Sequence, residues 1–323
     1  MRISRRTIGG WVAAAALAAL LACSPSESKA TTLPTEKAAA SGIAADRFGV
    51  RKLYPTVAGG REWFLSPTPA TDPAWRPESR SDVFAATSEP GVFHAAGTGP
   101  RFSVRSPAGT AWWRNVEMTG YIRYRGPAPG ELRPHWEWYT RGERHTAQAT
   151  DSTQINDGVV APPGTATWPG YPFASGALNQ RCLATSYHAN LYVDGEVHFE
   201  KEISWTQGYG EVRSKVQLPG FRDPADRWVG FKFVLRNEAA NRFVALEAWV
   251  DADATGDWVR VATAEDRGDW IAREPRIDGC GDPPFAYTPA QVLTWAGPWA
   301  TFRTDSTSAD YKWLSVREIT SLP

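Results

Sequence analysis

The sequence predicts an all-β protein whose short antiparallel strands build a sandwich or a barrel. Three observations carry that expectation. Gly and Pro punctuate the chain, with 28 Gly and 25 Pro in 323 residues. From Phe48 onward the apolar residues recur with period two, and no stretch sustains a helical stripe. Strands and helices do not alternate as a parallel sheet would need. With 42% hydrophobic and 22% charged residues, the chain can bury a core, and residues 48–323 read as one domain.

The chain begins with an address. Arg2, Arg5 and Arg6 form a positive region ahead of an Ala/Leu run from Trp11 to Leu21, and residues 1–22 read as a signal peptide. Leu20-Leu21-Ala22-Cys23 resembles a bacterial lipobox, which makes Cys23 the expected lipidated residue. Ser4-Arg5-Arg6-Thr7-Ile8 also resembles the twin-arginine export motif, with Gly9 and Gly10 departing from it. Residues 23–47, rich in Ser, Ala, Thr and Pro, read as a flexible tether. The expectation is an exported lipoprotein, held to a membrane only by its lipid and facing the periplasm or the cell exterior. No apolar run reaches the roughly 18 residues of a spanning helix. Lys and Arg number 35 and Asp and Glu 35, and this balance excludes nucleic acid as a partner. A monomer is expected.

The strands follow in order. Trp112–Arg125 alternates throughout, with Val116, Met118, Ile122 and Tyr124 on one face and Asn115, Glu117, Thr119, Tyr121 and Arg123 on the other. In the next run Trp136 and Trp138 oppose His135, Glu137, Tyr139 and Arg141. Residues 145–180, rich in Gly, Pro, Thr and Ala, read as a long loop. Asp194-Gly195 marks a two-residue hairpin turn within residues 190–202. Residues 228–237 and 242–263 supply three further strands, and 311–319 close the chain. Cys182 and Cys280 stand far apart without a paired thiolate motif, so a disulfide is the simplest expectation for them in an exported chain. Near the start of the body, Trp63-Phe64 are expected to staple residues 52–69 onto a sheet.

The phrases RNVEMTGYIRY, GEVHFEKE, DRWVGFKFVLRN, ALEAWVDADATGDW and WLSVREI together resemble the concanavalin A-like lectin/glucanase superfamily. They are most similar to uncharacterised secreted relatives of alginate-lyase-type jelly rolls. The resemblance covers roughly residues 90–320. It implies a two-sheet antiparallel jelly-roll β-sandwich with a concave face that commonly holds a glycan. The superfamily's catalytic strings are missing. There is no ExDxxE strand, and no strand like the QIH, Arg-rich or YFKAG strands of the lyases.

Polysaccharide is therefore the expected partner, and cleavage is the alternative to binding. A uronate lyase needs a cation on the carboxylate, a base for the C5 proton and an acid for the leaving oxygen. Arg141 is the candidate cation, His135 or His188 the base, and Tyr139 or Tyr187 the acid; a solvent-facing polar stripe is the competing reading. Glu137, Asn190, Lys232, Glu247 and Trp249 are candidate glycan contacts, since sugars need an aromatic face with fixed polar groups around it. For Lys232 and Glu247 the competing reading is a cross-strand ion pair. Asp251, Asp253, Thr255 and Asp257 have the alternate oxygen spacing of a calcium loop, although position twelve is Ala262 and a plain polar hairpin fits better. No cofactor is required, and calcium is the one candidate. A glycoside hydrolase and an adhesion or structural lipoprotein are the remaining readings.

Overall fold

A computed structural model describes residues 36–37, 44–77, 83–97, 99–106, 113–128, 133–141, 186–204, 208–270, 292–294, 296–297 and 299–320. Cys23, Cys182 and Cys280, with the signal peptide, lie outside the described residues. The first six strands are β1 (Glu36–Lys37), β2 (Glu62–Phe64), β3 (Trp75–Pro77), β4 (Val83–Ala86), β5 (Phe93–Gly97) and β6 (Arg101–Arg105). After them come β7 (Val116–Pro127), β8 (His135–Thr140), β9 (Ser186–Tyr192), β10 (Glu196–Ser204), β11 (Gly208–Tyr209) and β12 (Arg213–Gln217). The last are β13 (Trp228–Glu238), β14 (Phe243–Asp251), β15 (Val259–Asp266), β16 (Trp299–Asp305) and β17 (Thr307–Glu318).

They form two antiparallel sheets, which makes the fold a β-sandwich. The nine-stranded sheet runs β1-β15-β14-β13-β7-β17-β5-β4, with β2 added to β17. The eight-stranded sheet runs β11-β10-β9-β8-β16-β6-β3, with β12 added to β10. Period two decides what each strand buries. Met118, Ile122, Phe231, Phe233 and Leu246 from the first sheet meet Trp136, Trp138, Leu191, Phe199 and Phe302 from the second in one core. Gly120 shows how close the sheets come. A Cβ there would lie 3.1 Å from the Trp138 ring of the facing sheet, besides meeting Leu314 of the neighbouring strand. Trp63 is buried and stacks on Trp75 at 5.6 Å, so β2 is fastened to β17 as expected.

Two features differ from the sequence reading. Glu36 and Lys37 lie within the stretch expected to be tether, yet they pair with Arg260 and Val259 at the free edge of β15. An edge strand offers unpaired backbone groups that a short extended segment can satisfy. Residues 46–56 also cover part of the outer face of the nine-stranded sheet. Val50, with Phe48, Leu53 and Tyr54, packs there against Tyr121, Val234, Trp249 and Trp258 as a second, smaller core.

Candidate functional site

The outward positions of β8, β9, β10 and β16 converge on one polar face of the eight-stranded sheet. Register fixes the neighbours: Glu137 stands between Asn190 and Arg303, His135 between Tyr192 and Asp305, and His198 opposite Asn190. Nearly all of these side chains are buried; Asn190 and His188 are 0% exposed and Glu137 2%. Polar groups so deep must be paired with one another or with a ligand.

Glu137 is the hub. It accepts a hydrogen bond from His188 Nδ1, and its Oε2 lies 2.8 Å from Arg303 Nη1 and 3.7 Å from His135 Nε2. Arg303 continues to Asp305 at 2.7 Å, and His135 Nε2 lies 3.3 Å from the same carboxylate. His188 Nε2 is 2.6 Å from Ser186 Oγ and 3.4 Å from Glu202. Two rings frame the row: Tyr139 stacks on His188 and Tyr192 on His135, each at 4.6 Å.

The charges follow from these contacts. Burial would raise the Glu137 carboxyl, but Arg303 and then His188 hold it well below the usual carboxylate range. Burial would lower His188; Glu137 reverses this and lifts it to about 9. His135 is raised in the same way against its own burial. His198 behaves oppositely: burial outweighs its Glu196 partner and drops it to about 4. At neutral pH His188 is therefore an imidazolium, and His198 is a neutral imidazole whose Nδ1 pairs with Glu196 at 3.0 Å.

A pH dependence follows. The raised pKa of His188 contributes stability that is complete below about 6.5 and lost as pH rises through about 9. The depressed Glu137 stabilises above about 4.5 and loses that contribution on acidification. His198, folded as the neutral base, costs stability as pH falls from 6.5 toward 4, because the unfolded chain takes up its proton first. Thermal unfolding across pH 4 to 10 is expected to show a maximum near pH 6.5, with stability declining from there toward pH 9 and toward pH 4. His198→Gln should flatten the acid limb and His188→Gln the alkaline limb. An unchanged profile in both variants would contradict these assignments.

The structure brings together part of what the sequence proposed. His135, Glu137, Tyr139, His188 and Asn190 share the face, and Tyr187 points inward, where its hydroxyl donates to Asp266 at 2.5 Å. Arg141 does not join them. The strand ends at Thr140, and Arg141 takes a left-handed φ of 76°. Its guanidinium donates to the carbonyls of Arg114, at 2.8 and 3.0 Å, and of Leu293. The cation on the face is Arg303, which the sequence reading passed over together with Asp305 and His198. The signal was there: WATFRTD sets Thr301, Arg303 and Asp305 opposite Ala300 and Phe302 by the same period of two.

Lys232, Glu247 and Trp249 lie on the other sheet, and Lys232 and Glu247 do not pair. Lys232 is in register with Trp249, and Glu247 with Val234. Lys232 bonds Glu117 at 2.6 Å and the Arg51 carbonyl at 2.8 Å, beneath the N-terminal cover. Glu247 accepts from Arg236 at 2.7 Å, Tyr54 at 2.8 Å and Trp249 at 2.8 Å.

At the proposed calcium loop the carboxylates meet protein donors. Asp251 accepts from the backbone N–H of Thr255 and Gly256 and from the Tyr121 hydroxyl, which closes the polar hairpin. Asp253 pairs with Arg222 and lies 3.5 Å from Arg227. Two of the four proposed ligands, Asp251 and Asp253, are thus committed to protein donors. Among the described residues the metal-like convergence is elsewhere, at His135, Glu137 and Asp305, with ligand atoms within 4.8 Å of one another. Arg303 bridges those two carboxylates and supplies the positive charge a metal would bring.

No family model matches the sequence, and no curated protein does. Among solved structures, a protein of unknown function with a galectin-like fold from Bacillus subtilis matches at 12% identity and a TM-score of 0.40, over 83% of this chain and 100% of that one. Peanut lectin with a 9mer peptide matches at 8% identity and 0.40, over 82% and 100%. The VIP36 exoplasmic/lumenal domain, in a form bound to Ca2+ and Man3GlcNAc, matches at 9% and 0.39, over 81% and 90%.

Proposed function

We propose that this chain is an exported, lipid-anchored protein that binds a polysaccharide on the polar face of the eight-stranded sheet. The observation that carries the reading is a pair of buried polar atoms. Asn190 Oδ1 and His198 Nε2 sit on adjacent strands of that face with no hydrogen-bond partner among the described residues. Leaving such atoms unpaired costs about 1–3 kcal/mol each, and sugar hydroxyls, which both donate and accept, satisfy them. Arg303, Glu137 and His135 supply fixed charge beside them. The lipid anchor rests on the lipobox-like sequence ending at Cys23.

One observation favours cleavage as a second reading. His198 is neutral at pH 7 and its Nδ1 pairs with Glu196, which makes Nε2, 3.8 Å from Glu200 Oε1, the acceptor nitrogen. That is the state a base needs for abstracting a proton beside a carboxylate, with Arg303 as the cation and Tyr139 as the acid. His188, already protonated, does not serve as that base.

The full chain is to be tested against a panel of uronate and neutral polysaccharides by affinity gel migration, ultraviolet absorbance of an unsaturated product, and reducing ends. Retarded migration that Asn190→Ala weakens by about tenfold is the expected result. No retardation with any polysaccharide would overturn the binding reading. Unsaturated product abolished by His198→Ala would establish the lyase.

A further inference from the structure

We propose a second ligand site, on the opposite sheet and independent of the face just described: an oxyanion-binding groove on the outer side of β13, β14 and β15. The groove has a volume of about 650 Å³, and its charged lining is Arg213, Arg236, Arg260, Glu247 and Glu265. Arg213 is committed to Glu211 and Asp269, and Arg236 pairs with Glu247, with Glu238 3.4 Å from its Nε.

Arg236 is the group that asks for a ligand. It is 4% exposed, and Tyr54 packs against its guanidinium, with Cζ 4.2 Å from the ring centroid. Nη2 is spent on Glu247. Nη1 is buried with no hydrogen-bond partner among the described residues. A guanidinium only donates, so the missing partner is an acceptor, and a planar carboxylate or a sulfate oxygen fits its fork best. Arg260, which lies over the buried Trp249 ring with its Cζ 5.7 Å from the centroid, brings a second, partly exposed guanidinium to the same groove. An acidic sugar, whose carboxylate or sulfate would meet Arg236 and Arg260, carries such an acceptor, and so does a free inorganic anion.

The test is titration calorimetry on the full chain carrying Asn190→Ala, which weakens the other face. The probes are a hexauronate, sodium sulfate and a neutral cello-hexasaccharide. The hexauronate is expected to bind once per chain, with affinity falling as salt rises. Arg260→Ala and Arg236→Gln should each weaken it by about tenfold or more. Arg260 is partly exposed, so its removal leaves the fold intact, and near-ultraviolet circular dichroism checks Arg236→Gln. Binding of sulfate without the hexauronate would support the oxyanion site and identify its ligand as a free anion. Binding of the neutral probe alone would overturn the inference, as would no binding of either acidic probe or equal affinity in both arginine variants. Arg236→Gln and Arg260→Ala leave the eight-stranded face untouched, so binding that they do not change is assigned to that face and binding that they weaken to the groove.

Discussion

Replacing Glu117 by Ala is expected to destabilise the protein by about 3–5 kcal/mol, among the largest losses available to a single polar side chain. Glu117 is 0% exposed and pairs at 2.6 Å with both Lys232 and Arg317, which are buried as well. It also accepts the backbone N–H groups of Leu53 and Tyr54, at 3.1 and 3.2 Å, so it fastens the N-terminal cover to the sheet. Burial alone would raise its carboxyl, but Lys232 and then Arg317 hold it ionised. Its removal leaves two buried cations facing each other with neither compensated. Denaturant unfolding of Glu117→Ala measures the loss. The triple variant Glu117→Leu, Lys232→Met, Arg317→Met should recover most of it, because apolar replacement of a whole buried ion network is often nearly neutral. A single variant within about 1 kcal/mol of the wild type would refute the account.

The second large effect is expected at Glu137. Glu137→Ala removes the common partner of Arg303, His188 and His135, at an expected cost of about 3 kcal/mol and at least a tenfold loss of polysaccharide affinity. Glu137→Gln separates charge from shape. The amide oxygen still accepts from Arg303, but the charge that holds His188 near 9 is gone, and the imidazole should titrate close to or below 6.5. Imidazole NMR signals followed through pH 5 to 10 read this directly. If His188 kept its high pKa in Glu137→Gln, Glu202 at 3.4 Å would be the dominant partner and Glu137 would not be the hub.

Much of the fold was legible in the chain because a strand writes its two faces into alternate residues. The opposition of Val116, Met118 and Ile122 to Glu117, Thr119 and Tyr121 recurs in the core and on the outer face. So does the opposition of Trp136 and Trp138 to His135, Glu137 and Tyr139. The Asp194-Gly195 turn joins β9 to β10, with Gly195 at a φ of 86°. Along one strand, then, the candidate site could be read.

Alternation stops being informative where the strand stops. Extending it one step past Thr140 placed Arg141 on the polar face, whereas the left-handed backbone there turns it to the carbonyls of Arg114 and Leu293. Local sequence also says nothing about which strand lies beside which. Lys232 finds Glu117 across β7 rather than Glu247 across β14, and Arg303 reaches Glu137 from a strand far along the chain.

The sequence by itself determined the all-β class, the main strands, their turns and which side of each is polar, because those depend on contacts between near neighbours and on period two. Only the tertiary structure decided that two polar faces exist on opposite sheets, that residues 46–56 cover one of them, and which buried charges answer each other. Those outcomes depend on strand order and register. Both arise from packing a whole sandwich, where an unpaired buried charge costs several kcal/mol and only the pairings that satisfy every such group together survive.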